Sequence, residues 1–269
     1  MYSFYKSKKR PKRNAYKIKK RTLKARNYIK FGYQYPAEEI DQIVSDYAAV
    51  CLDTQLCIAG ILNLENIVRY VIDRRLEGSF VECGTWRGGA LAYWARSFLR
   101  NGGDDSSCKI YGFDSFQGMP HMTRDDGDST SRWLYGRSVD EVDEEMLRGQ
   151  LRPTGKNVAD YHECRRVVEE TRYKKESIII KKGWVQDTIP EVIEEIGPTF
   201  VLRLDTDFYE STKFCLEQLY DKVLAGGAVI IDDYGSIPGC KKATDEFLRD
   251  RKINAHLHYV DVSVRYFVK

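Results

Sequence analysis

The chain predicts an α/β, Rossmann-like fold, a mostly parallel seven-stranded sheet with an antiparallel C-terminal strand and helices on both faces. Three observations carry that reading. Thr199 to Tyr234 holds two apolar runs, Phe200-Val201-Leu202 and Ala228 to Ile231, with a helical segment between them, the signature of a parallel βαβ unit. Ser79 to Cys83 runs into a glycine-bearing turn and then a helix through Leu99. The chain ends in two aromatic and β-branched runs, 254–260 and 264–268, joined by Asp261-Val262-Ser263, a connection short enough for an antiparallel pair.

In chain order, the first 35 residues read as a basic, disordered arm. Residues 1–37 hold 13 of the 43 Lys and Arg, and no acid precedes Glu38. What remains is 30 basic against 40 acidic residues, so a basic tail precedes an acidic body. Such an arm suits contact with nucleic acid or an anionic membrane surface, although disorder alone accounts for its composition. Residues 36–78 form a helical prelude: Ile40, Ile43, Val44, Tyr47 and Cys51 recur at helical spacing, as do Leu64, Ile67, Val68, Val71 and Ile72. Its expected role is to pack on the core as a lid or homodimer surface. Residues 79–269 are the core domain, with an irregular, polar lid insertion at about 117–160.

Composition excludes some classes. No apolar stretch reaches the roughly 20 residues of a membrane span, and the basic N-terminus is not followed by the apolar segment of a secretory signal. The seven cysteines are scattered without CxxC spacing, which fits reduced thiols in a cytoplasmic setting better than a disulfide frame or zinc site. Asp125 to Asp128 superficially resembles a calcium loop. Counted from Asp126, however, the twelfth position is Arg137 where the bidentate Glu belongs.

The chemistry lies at the strand ends. In parallel sheets the carboxyl ends of the strands line the ligand crevice. Asp205 and the Asp232-Asp233 pair end the two runs of the central βαβ unit, so three carboxylates are expected at one rim. They repel each other unless something positive sits among them, and a hard divalent cation is the simplest candidate. The turn Glu82-Cys83-Gly84-Thr85-Trp86-Arg87-Gly88-Gly89 lets the backbone approach a ligand and offers helix N–H groups to it, although it lacks the middle glycine of GxGxxG. Asp114, after the next strand, stands where this architecture hydrogen-bonds ribose hydroxyls, or else caps a helix. Gly183 permits a turn, and Trp184 either stacks on an adenine or packs as core.

The runs VECGTWRGG, YGFDSFQGMP, KKGWVQDTIP, LRLDTDFYEST and GGAVIIDDYGSIPGCKKATDEF, in this order, resemble the macrocin O-methyltransferase family, which includes the mycinamicin and noviose sugar methyltransferases. The resemblance spans roughly 60–269 and leaves the basic tail outside. It implies a class I S-adenosylmethionine-dependent methyltransferase fold and a Mg²⁺-assisted O-methyl transfer to a hydroxyl of a small-molecule or glycan sugar. Carried onto matching positions, Asp205, Asp232 and Asp233 become metal ligands and Asp205 also the general base. Glu82, Gly84, Thr85, Gly88 and Asp114 would hold the cofactor, with Ser115, Gly183, Trp184 and Asp187 near its adenosine. His121, in the lid, is an alternative base. A nucleic-acid methyltransferase using the basic arm is the competing reading.

Overall fold

The computed structural model describes residues 15–32 and 35–269. Its centre is a seven-stranded sheet of β1 (Ser79–Cys83), β2 (Ile110–Asp114), β3 (Ile178–Lys182), β4 (Thr199–Leu204), β5 (Val223–Ile231), β6 (His258–Tyr259) and β7 (Arg265–Val268). The order across the sheet is β3-β2-β1-β4-β5-β7-β6. Every pairing among β1 to β5 is parallel, whereas β7 runs antiparallel to β5 and β6. The chain therefore leaves β1 in one direction for β2 and β3 and returns to its other side for β4 and β5. That reversal creates a switch point between the carboxyl ends of β1 and β4, where α/β sheets open a crevice.

Side-chain alternation splits the core into two layers. Phe80, Val201, Ala228 and Ile230 face one layer, where the Trp94 ring stacks on Phe80 at 4.4 Å. Val81, Leu202, Val229 and Ile231 face the other. The first layer is covered by α2 (Ala37–Val50), α3 (Ile58–Asp73), α4 (Gly89–Arg100) and α6 (Tyr161–Glu169). The second is covered by α7 (Val185–Val192), α8 (Tyr209–Leu219) and α9 (Pro238–Asp250). Sandwiched this way, the central strands are buried along nearly their whole length, which is why they read as continuous apolar runs.

Three departures from the sequence reading have physical causes. Part of the supposed disordered arm is α1 (Ala15–Gly32), which buries Ala25 and Ile29 and packs on α2; residues 1–14 lie outside the described residues. The lid insertion is not merely irregular. It contains α5 (Gly127–Tyr135), three short 3-10 turns and the apolar residues Met119, Met122, Leu134, Val142 and Leu147, which cluster on Phe208 from the start of the next helix after β4. Finally, the second apolar run of the βαβ unit, read from Ala228, belongs to a longer strand: β5 starts at Val223 and takes in Gly226-Gly227. Gly226 adopts φ 83° and donates its N–H to the Lys269 carbonyl, so the glycines shape an irregular strand start. Among the described residues no helix is long and apolar enough to cross a membrane.

Candidate active site

The loops after β1, β2, β4 and β5 converge on a cavity of about 430 Å³ at the switch point. Its floor is set by backbone contact. Asp205 N–H donates to Cys83 O at 2.8 Å and Asp232 N–H to Leu204 O at 2.9 Å, extending the ladder past the strand ends. Gly84, at φ 87°, lies so close that a Cβ there would meet the Asp205 carbonyl at 1.8 Å. Only glycine lets the two loops touch.

Charge is the cavity's main feature. Among the described residues lining it are seven carboxylates (Asp53, Glu82, Asp114, Asp205, Asp207, Asp232 and Asp233) and one cation, Arg203. Arg203 is 2% exposed near the carboxyl end of β4. Its Nη1 reaches Glu82 Oε1 at 2.5 Å and Asp205 Oδ2 at 2.9 Å, and its Nη2 reaches Asp232 Oδ1 at 2.6 Å. One guanidinium cannot neutralise this many acids. Burial pushes the Glu82 carboxyl up to about 7 despite the opposing pull of Arg203. Asp232 likewise rises to about 7, through burial first and the Asp205 charge next, again against Arg203. Asp207 is pushed well above the carboxylate range by burial and then by the charges of Asp205 and Asp232, and Asp233 by burial and then by the charges of Asp207 and Asp205.

Oxygens of Asp205, Asp207 and Asp233 lie within 4.8 Å of one another, and Asp233 Oδ2 and Glu82 Oε2 are buried without a hydrogen-bond partner. Such a set of hard oxygens, mutually repelling and partly orphaned, fits a divalent cation such as Mg²⁺. Asp232, which the sequence reading grouped with Asp205 and Asp233, gives its Oδ1 to Arg203, and Asp207, not named there, brings a further carboxylate beside Asp205 and Asp233. Asp207 sits at φ 61°, a left-handed conformation that costs a non-glycine residue free energy and tends to mark functional turns.

On the β1–β2 side, Glu82, Gly84, Thr85, Asp114, Ser115 and Trp184 line the cavity as expected. Asp114 first serves the fold. Its Oδ2 accepts from Trp86 N–H at 2.7 Å and its Oδ1 from Phe116 N–H at 2.6 Å, pinning two left-handed residues. Each oxygen keeps a lone pair for a ligand hydroxyl. Ser115 Oγ donates to Gly118 O at 3.0 Å within the following turn.

Four expected residues are placed elsewhere. Gly88 caps α4 in a left-handed conformation with Cys164 packed against it, and Gly183 forms the turn after β3, its N–H on the Asp114 carbonyl at 2.9 Å. Asp187 is exposed on the first turn of α7, outside the cavity lining; the preceding residue, Gln186, turns inward instead, with Oε1 buried and unpartnered. His121, the alternative base, is also outside the lining. Its Nδ1 pairs with Tyr135 Oη at 2.9 Å, and burial together with Arg152 holds its pKa down.

Sequence reasoning missed Arg203, Asp207, Trp86, Gln186 and the segment Asp53-Thr54-Gln55. A charged residue inside the apolar run Phe200 to Leu204 was the available signal for Arg203. The 53–55 segment gave none, since it enters the site only because Gly89 packs on the Asp53 backbone, N–H to carbonyl at 3.0 Å.

A doubly wound sheet ending in an antiparallel β7, with an acid-rimmed cavity at its switch point, defines the class I methyltransferase fold. The family model described as Macrocin-O-methyltransferase (TylF) matches residues 4–269, and the chain belongs to that family. The match also takes in the basic segment, which the sequence reading had left outside. A relative from Streptomyces niveus, "Demethyldecarbamoylnovobiocin O-methyltransferase", is 38% identical over 193 residues, 70% of this chain and 66% of that one. Another, from Streptomyces olivaceus, is "8-demethyl-8-(2,3-dimethoxy-alpha-L-rhamnosyl)-tetracenomycin-C 4'-O-methyltransferase"; it is 32% identical over 69% of this chain and 63% of its own length. The solved O-methyltransferase NovP superposes with a TM-score of 0.64 at 32% identity, covering 81% of this chain and 82% of that one.

Proposed function

We propose that this protein transfers a methyl group from S-adenosylmethionine to a sugar hydroxyl, assisted by a divalent cation. The observation that carries the reading is the carboxylate cluster around Arg203 at the switch point. The fold and the family support the cofactor and the O-methyl transfer, and the rhamnosyl substrate in one relative's name supports a sugar acceptor. Bound S-adenosylmethionine supplies a methyl already activated on a sulfonium. A bound Mg²⁺ would acidify the acceptor hydroxyl and fix it in place.

The chain's own residues do the rest. The β1 turn and Asp114 hold the nucleoside, with Trp86 Nε1 and Gln186 Oε1 as unpartnered groups facing it. Asp205, Asp232 and Asp233 would hold the cation. Arg203 fixes one oxygen each of Asp205 and Asp232 and so orients both carboxylates. Asp207 lines the cavity beside Asp205 and Asp233 without touching Arg203, which makes it the better proton acceptor than Asp205. The same charge excess favours a cationic sulfonium and disfavours a polyanion, which argues against a nucleic-acid acceptor.

The test is methyl transfer to a panel of glycosides followed by mass spectrometry, first with EDTA and then with Mg²⁺ restored. Activity should vanish and return. Full turnover in EDTA would remove the metal from the reading, and absence of transfer to any sugar with metal present would remove the sugar.

A further inference from the structure

The lid helix α5 turns a face to the cavity whose residues the reading above assigns to neither the cofactor nor the cation. Its first residue, Gly127, packs on Pro238 at the start of α9, where a Cβ would meet the proline ring at 3.0 Å. Just before it, Asp126 Oδ1 accepts from Tyr209 N–H at 2.7 Å, tying the lid to the start of α8. Towards its other end, Trp133 lies under the Lys156 ammonium at 5.8 Å, and the Lys156 carbonyl accepts from Met119 N–H beyond β2. The helix thus crosses from the β5 side to the β2 side and lends Ser129, Thr130 and Trp133 to the cavity lining.

Two of these residues are unexplained by the fold. Thr130 is 1% exposed, yet its Oγ1 has no hydrogen-bond partner. A buried hydroxyl left unmade costs free energy, so a partner from a ligand is the natural completion. Trp133 is 44% exposed, one of the large apolar side chains turned outward, and Leu151, also in the lining, is 37% exposed. Thr130 and Trp133 are three residues apart and share a helix face, so a polar point and an apolar plate stand together. A pyranose ring offers the matching pair, hydroxyls at its edge and C–H groups across its face.

We propose that α5 carries the acceptor-sugar subsite, with Thr130 Oγ1 hydrogen-bonded to a ring hydroxyl and the Trp133 indole stacked on the ring's C–H face. This rests on the sugar-methylation reading above. Leu151 closes the lip of the subsite. The lid cluster of Met122, Leu134 and Leu147 supports the helix from behind.

The test uses the full chain, p-nitrophenyl pyranosides as acceptors, and S-adenosylhomocysteine as the probe of the cofactor site. Trp133→Ala should raise the acceptor KM about tenfold or more and Thr130→Val severalfold, while calorimetric affinity for S-adenosylhomocysteine stays unchanged. Trp133→Phe should recover most of the loss. An unchanged acceptor KM in both variants, with the parent active, overturns the subsite alone. So does a matching loss of S-adenosylhomocysteine affinity, which would give α5 to the cofactor. A parent that binds S-adenosylhomocysteine but methylates no pyranoside counts against the sugar reading, and the subsite falls with it.

Discussion

Two buried clusters of charge in this molecule use the same residue types to opposite effect. Between α3 and α4, Glu65 is fully buried yet surrounded by donors. Arg100 Nη2 reaches it at 2.6 Å, Arg69 Nε at 2.9 Å, Ser97 Oγ at 2.6 Å and Tyr93 Oη at 3.1 Å. Burial alone would raise its pKa, but Arg100 and the other donors overcome this and hold it at about 2. At the switch point the ratio is reversed: Arg203 alone serves Glu82, Asp205 and Asp232, with Asp207 and Asp233 close by, and the carboxyl pKa values of Glu82, Asp207, Asp232 and Asp233 rise. A satisfied cluster cements helices. A cluster short of positive charge is built to receive it, and the direction of the pKa shifts separates the two.

That comparison can be broken at either end. The largest effect is expected at the starved cluster. Asp207→Asn keeps size and removes the proton acceptor, so kcat should fall about 10²–10⁴-fold while cation binding persists. Loss of cation binding together with turnover would make Asp207 a ligand. Asp233→Asn should lose both. At the satisfied cluster, Glu65→Gln removes the buried charge between Arg69 and Arg100, which keep Glu39 and Asp46 as partners, and should destabilise the fold by about 1–3 kcal/mol in denaturant melts. Turnover per folded molecule should not change.

A smaller effect sharpens the contrast through pH. The Glu65 pKa in the folded protein, about 2, lies below the ordinary 4.5. The stability it contributes is therefore complete above about pH 4.5 and is lost as the pH falls towards 2. The parent should show this acid-side loss, and Glu65→Gln should show a flatter profile over the same window. Identical profiles would mean that the arginines do not hold the carboxylate ionised.

How far the sequence could reach follows from the same physics. The β4–α8–β5 unit was legible because central parallel strands are buried on both faces and spell apolar runs, and Asp205 and Asp233 were legible as their endings. Arg203 was hidden inside such a run: that it gathers Glu82 from β1 and Asp232 from β5 depends on strand order, which no local pattern encodes. Asp207 was visible as a letter, but its left-handed turn into the cavity was not. In α1 the excess of lysine and arginine masked the spacing of Ile18, Ala25 and Ile29, which bring one side of the helix to the core. His121 and Asp187 misled because a polar residue near a motif need not face the site: one is drawn aside by Tyr135, the other lies on the solvent side of α7.

The most direct test of the central claim, that the switch-point carboxylates are a cation site and the Glu65 cluster is not, is a titration with Mn²⁺ as a paramagnetic stand-in for Mg²⁺. It should be followed by the spin-resonance signal of the free ion on parent, Asp233→Asn and Glu65→Gln proteins. One Mn²⁺ should bind to the parent, be displaced by Mg²⁺, bind equally to Glu65→Gln and be lost from Asp233→Asn. A parent that binds no Mn²⁺, or an Asp233→Asn protein that binds it as tightly as the parent, would contradict the account.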